Sequence, residues 1–161
     1  MHNEIKIILY VADLEPGCEE VLAFAIGVAR QFGAKLQVVT VIGDEREKSL
    51  VEVDSHVPQD VLDQYHDNRA ERVRKSIEAQ VAAYCAERPE LDAAEAIFEI
   101  SVHEGDDVAQ RVLEEADTKQ PDLILIGSRG EGVLAGLLFG SVVHDVIRRT
   151  RTPVLLVPVA A

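Results

Sequence analysis

Five apolar runs of strand length alternate along this chain with longer segments whose apolar residues recur every three or four positions. The runs are Glu4–Val11 (EIKIILYV), Ala34–Ile42 (AKLQVVTVI), Ala94–His103, Asp122–Gly127 (DLILIG) and the closing TPVLLVPV. Between them, Cys18, Val21, Leu22, Ala25, Ala29 and Phe32 mark one helix, with Gly33 as its C-terminal cap. Val73, Ile77, Val81 and Tyr84 mark a second, long helix whose front half, QYHDNRAER, is mostly solvated, after a polar loop over 43–60. Val108, Val112, Leu113 and Ala116 mark a third, starting at Gly105-Asp106-Asp107, and Val142, Val143, Val146 and Ile147 a fourth. Such βαβαβαβαβ order dictates a parallel sheet covered by helices on both faces. Right-handed crossovers make it a three-layer, open, Rossmann-like α/β fold of five strands. No repeat or linker divides residues 1–161, so one domain is expected. Alternating polarity in Ala94–His103 places that strand at a sheet edge.

Charge and thiols narrow the partners. A net charge of −13 argues against nucleic acid and anionic membranes, and no run reaches the length of a membrane helix. The start, MHNEIKIILYV, does not read as a signal peptide, and Cys18 and Cys85 lack metal-ligand spacing. Two unpaired thiols and no export signal lead to the expectation of a cytoplasmic protein. In the last strand Val154–Val157 is apolar on both faces, an edge that invites pairing with a second copy through Pro153–Val159. Shielding by its own helices, with Pro153 and Pro158 limiting any pairing, is the alternative.

The stretch GSRGEGVLAGLLFGS, residues 127–141, holds five glycines between a strand and a helix. Glycines there let several backbone N–H groups approach one ligand, and the N-terminus of the following helix is electropositive. Together they suit a phosphate, with the hydroxyls of Ser128 and Ser141 and the charge of Arg129 in reach. No lysine precedes Ser141, so this is not a P-loop, and VADLEPG after the first strand is not a dinucleotide fingerprint. On local chemistry alone, a phosphate cradle and a tight structural turn fit equally well.

The full spacing is more specific. Gly127-x-x-Gly130, nine residues, then Gly140-Ser141 resembles the G-x-x-G-(nine)-G-[ST] motif of the universal stress protein family. ILYVAD, DLILIGSRG and GSVVHDVIRRTRTPVLLVPV extend the likeness over essentially the whole chain. The resemblance implies strand order 3-2-1-4-5, membership of the ATP-binding subgroup, and a site for ATP, or for AMP or ADP, with Mg. It implies Gly127 and Gly130 along ribose and phosphates, and Gly140, Ser141 and Val142 at the phosphates. Asp13, with Ala12 before it, would lie by the nucleotide and help a divalent metal, and the Val41 backbone would meet adenine. Val11-Ala12 departs from the proline and small hydroxyl residue frequent in the family, which puts one polar contact in question. A helix cap is the alternative role for Asp13.

His2, His56, His66, His103 and His144 are scattered, and His103 reads as a solvated residue, as do Glu114-Glu115. No general base for phosphoryl transfer stands out, so no catalytic residue is assigned and rapid hydrolysis is not expected. Three functions follow. The first is a homodimeric, ATP-dependent regulatory module of the stress response that acts on an unidentified protein partner. The second is a slow Mg-dependent ATPase or a protein that labels its own Ser128 or Ser141. The third is a nucleotide-independent interaction protein. Stoichiometric ligand, steady phosphate release and nucleotide-insensitive melting, respectively, tell them apart.

Overall fold

The structure, a computed structural model, describes residues 4–13, 17–43, 58–92, 95, 97–129 and 141–159. Strands are β1 (Ile7–Val11), β2 (Lys35–Ile42), β3 (Ile97–Glu104), β4 (Leu123–Arg129) and β5 (Val154–Val159). Helices α1 (Glu19–Phe32), α2 (Gln59–Ala86), α3 (Val108–Lys119) and α4 (Ser141–Arg149) alternate with them. All neighbouring strands pair in parallel, in the order β3-β2-β1-β4-β5. The expected fold class and strand order are therefore both found.

Two apolar layers account for the sandwich. Ile8, Tyr10, Leu36, Val38 and Leu125 pack under α1 (Val21, Leu22, Ala25, Ile26) and α2 (Ile77, Val81, Cys85). Leu9, Val11, Val39, Ile124 and Ile126 pack on the other face under α3 (Val112, Ala116) and α4 (Val143, Val146). Successive strand residues point to opposite faces, so the central strands must be apolar throughout. Helix α1 leaves β1 on one face and α4 leaves β4 on the other. A crevice therefore opens between the C-terminal ends of β1 and β4.

Three details qualify the sequence reading. Strand β4 runs to Arg129, because Gly127, Ser128 and Arg129 pair with Val157, Pro158 and Val159. The expected polar loop over 43–60 lies outside the described residues from 44 to 57, and α2 begins at Gln59. Phe32 and Ile147, expected on buried stripes, are 54% and 45% exposed. Both belong to the last turn of their helix, and periodicity fixes the angle of a side chain but not how far the sheet beneath extends.

The edge strand β3 is polar towards α3. A register shift after Leu36 pairs Gln37 with Glu99, so Glu99, Ser101 and His103 share the face of Val39 and Val41. Glu115 of α3 meets them: its Oε1 accepts from Ser101 Oγ at 2.8 Å and its Oε2 lies 2.9 Å from His103 Nε2. Lys119 Nζ donates to Glu99 Oε2 at 2.6 Å, and that bond raises the lysine's pKa. Glu115 is thus buried, at 8% exposed, and His103 is partnered, where the sequence suggested two solvated groups.

Candidate functional site

The crevice holds a cavity of about 460 Å³. Its walls are assembled strand by strand. From β1 come Val11, Ala12 and Asp13, from β2 Thr40, Val41, Ile42 and the following Gly43, and from β4 Ile126 and Gly127. Val108 at the start of α3 and Ser141, Val142 and Val143 at the start of α4 close it. Arg69 of α2 completes the lining.

The floor is rigid because the strand ends are tied together. Ala12 N–H donates to the Val39 carbonyl at 2.8 Å, continuing the β1–β2 ladder past the last strand residue. Thr40 Oγ1, buried, donates to the Ala12 carbonyl at 3.1 Å. Ala12 is therefore held from both directions, and the exposed Asp13 follows it at the rim. Tyr10 lies beneath. Burial, reinforced by Cys18, Asp13 and Glu19 nearby, pushes its pKa well up, so the hydroxyl keeps its proton and supplies no phenolate.

Electrostatically the cavity has two unlike ends. On the β4 side, the first turn of α4 carries N–H groups without intrahelical partners, beside the Ser141 hydroxyl. On the β2 side, Val41, Ile42 and Val108 make an apolar wall, closed by Gly43 and Arg69. Both terminal nitrogens of Arg69 donate to the Gly43 carbonyl, at 3.2 Å each. The α4 end thus offers N–H donors to an anion, and the β2 end an apolar wall edged by the Arg69 guanidinium.

Of the site residues expected from sequence, Ala12, Asp13, Val41, Gly127, Ser141 and Val142 come together on this cavity. Ser128 lies within β4, 8% exposed and not among the lining residues. Arg129 ends β4, and Gly130 and Gly140 lie outside the described residues. At Gly127 the missing side chain has a packing reason as well. A Cβ there would stand 3.2 Å from Val21 Cγ2 and 3.2 Å from Val159 Cγ2. The sequence reading missed Thr40 and Arg69. A lone threonine in the apolar run KLQVVTVI was a usable signal, whereas nothing in QYHDNRAER distinguishes Arg69 from a solvated cation. Among the described residues, no group of three or more His, Cys, Asp or Glu is disposed to hold a metal by itself, and no helix is long and apolar enough to cross a membrane.

The model of the universal stress protein family matches residues 4–158. No curated protein matches the chain at a significant level. Among solved structures, universal stress protein UspA from Lactobacillus plantarum superposes with a TM-score of 0.69 at 16% identity, covering 97% of this chain and 99% of that one. A universal stress protein in complex with cAMP gives 0.57 at 20% identity, covering 98% and 100%. The universal stress protein from Archaeoglobus fulgidus in complex with dAMP gives 0.52 at 19% identity, covering 99% and 100%. At these identities the likeness is one of fold.

Proposed function

Because this chain belongs to the universal stress protein family, we propose that it is an adenine-nucleotide-binding regulatory module, with ATP as its ligand. The observation that carries this reading is the two-ended cavity, electropositive at the start of α4 and apolar at the end of β2. Phosphates would lie at Ser141, Val142 and the Gly127 backbone, continued by Gly130 and Gly140 of the spaced glycine motif, with Ser128 and Arg129 flanking. The base would lie against Val41. Two of the structural neighbours carry cAMP and dAMP, the ligand class proposed here. Asp13 is the one carboxylate among the described lining residues. One carboxylate added to nucleotide phosphates is a donor set that Mg accepts, so Asp13 fits as the protein's ligand to a nucleotide-bound Mg.

The module reads out occupancy to a protein partner and pairs with a second copy through Pro153–Val159. Two buried cysteines outside any disulfide, Cys18 and Cys85, suit a reducing compartment such as the cytoplasm. Turnover is at most slow, in line with the absence of a candidate base in the sequence reading. The nucleotide-independent reading has one observation in its favour, the packing need for glycine at Gly127. Identifying the small molecules released on denaturing freshly purified protein separates the two. Near-stoichiometric ATP supports the binding module. An empty protein whose melting ignores millimolar Mg-ATP supports the interaction protein. In a bound protein, Gly130→Val and Gly140→Val should abolish nucleotide binding while the fold survives.

A further inference from the structure

Asp13 and Arg69 are the two charged residues among the described residues that line the cavity. The strand order separates Arg69 from the anion end. Ser141 and Gly127 belong to the β4 side, Asp13 to β1, and Gly43, with Arg69 on its carbonyl, to β2. Two strand spacings, about 10 Å, lie between β4 and β2, which is the reach of a nucleoside and not of a phosphate.

Arg69 comes to this place because α2 is longer than the sheet it covers. Its 28 residues span about 42 Å, against about 26 Å for the 8 residues of β2. Val73, Ile77 and Val81 pack on the sheet, so the turns before them overhang the C-terminal ends of the strands. Arg69 is half-buried, and its bonds among the described residues run to the Gly43 carbonyl. Its two bonds to Gly43 occupy two of five N–H donors and fix the group, leaving the others and a planar π-face. Holding Gly43 alone needs only a neutral donor. A guanidinium fixed on the Gly43 carbonyl beside the apolar wall of Val41, Ile42 and Val108 is matched to an electron-rich aromatic ring that also offers acceptor nitrogens.

We propose that Arg69 is a base-contacting residue of this cavity, meeting the ring of a purine whose phosphates lie at the start of α4. The proposal rests on the nucleotide reading above and adds to it the residue that grips the base.

Calorimetric titration of the full-length protein with Mg-ATP and with AMP tests it, because the two ligands share a base and differ in phosphate. Arg69→Ala should weaken both by about the same factor, roughly tenfold. Arg69→Lys, which keeps the charge and loses the planar fork, should recover only part of that loss. Thermal unfolding of the unliganded variants checks the fold, and Arg69→Gln, which keeps a donor for the Gly43 carbonyl, serves the same comparison if Arg69→Ala fails to fold. Unchanged affinity for both ligands overturns the proposal, as does a loss confined to ATP, which would make Arg69 a phosphate contact. Wild-type protein that binds neither ligand overturns the nucleotide reading itself, a result distinct from both.

Discussion

Glu115 shows what one residue decides. Its carboxyl holds two groups of the edge strand at once, accepting from Ser101 Oγ at Oε1 and meeting His103 Nε2 at Oε2. Glu115→Ala leaves the Ser101 hydroxyl and the His103 ring nitrogen without this partner under the edge strand, at a cost of about 1–3 kcal/mol. Urea denaturation should show the lower midpoint. In the Glu115→Ala background, Ser101→Ala should cost less than in the wild type, because the two share one interaction. Glycine at position 127 is a packing demand of a similar kind. Gly127→Val would press on Val21 and Val159, and overpacking of this sort costs about 1–3 kcal/mol. The thermal midpoint should fall whether or not nucleotide is present. A loss of binding in that variant would thus not identify a cradle, which is why the cleaner probes are Gly130 and Gly140.

At the scale of elements, caps and alternation were legible and contacts between elements were not. Gly33 was readable as a helix end, and it takes φ 63° while Ala34 N–H returns to the Ala29 carbonyl at 2.8 Å. A Cβ at Gly33 would meet nothing within 4 Å, so Gly33→Ala tests backbone conformation alone. It should lower stability by about 1 kcal/mol in thermal unfolding, and Gly33→Asn by less, since asparagine tolerates the left-handed region better. Asp107 was likewise legible near the start of α3, where its side chain accepts from Gln110 N–H at 2.9 Å. The alternation in β3 announced an edge strand but not what faces its polar side, so the pair Glu114-Glu115 read as one solvated face when only Glu114 is exposed. The six lining residues named from sequence were legible for another reason. The family resemblance named them and supplied the strand order 3-2-1-4-5, and that order brings the ends of β1, β2 and β4 and the start of α4 to one crevice. Arg69 arrives from the front half of a long helix, and only the overhang of α2 reveals it.

At the scale of the molecule, β5 sets the next question. No strand pairs with its outer side among the described residues, and Val154, Leu155, Leu156 and Val157 are all only half-buried, whereas the inner strands β1 and β4 are nearly sealed. Phe24 and Phe32 of α1 are exposed apolar side chains as well, and Val28 of that helix packs against the same core cluster as Leu155, Val157 and Val159. A second copy placed against β5 would cover an edge that is otherwise a template for uncontrolled pairing. Sedimentation should therefore report a particle of about twice 17.7 kDa. Leu156→Lys puts a charge on that edge and should give a monomer that keeps its far-UV dichroism and unfolds cooperatively. The lining of the cavity includes no residue of β5, so the monomeric variant should bind nucleotide within about twofold of the wild type, well under the tenfold that 1.4 kcal/mol represents. A monomer that has lost its nucleotide would mean instead that the site is completed across the interface. A wild-type protein already monomeric would mean that its own side chains suffice to guard β5.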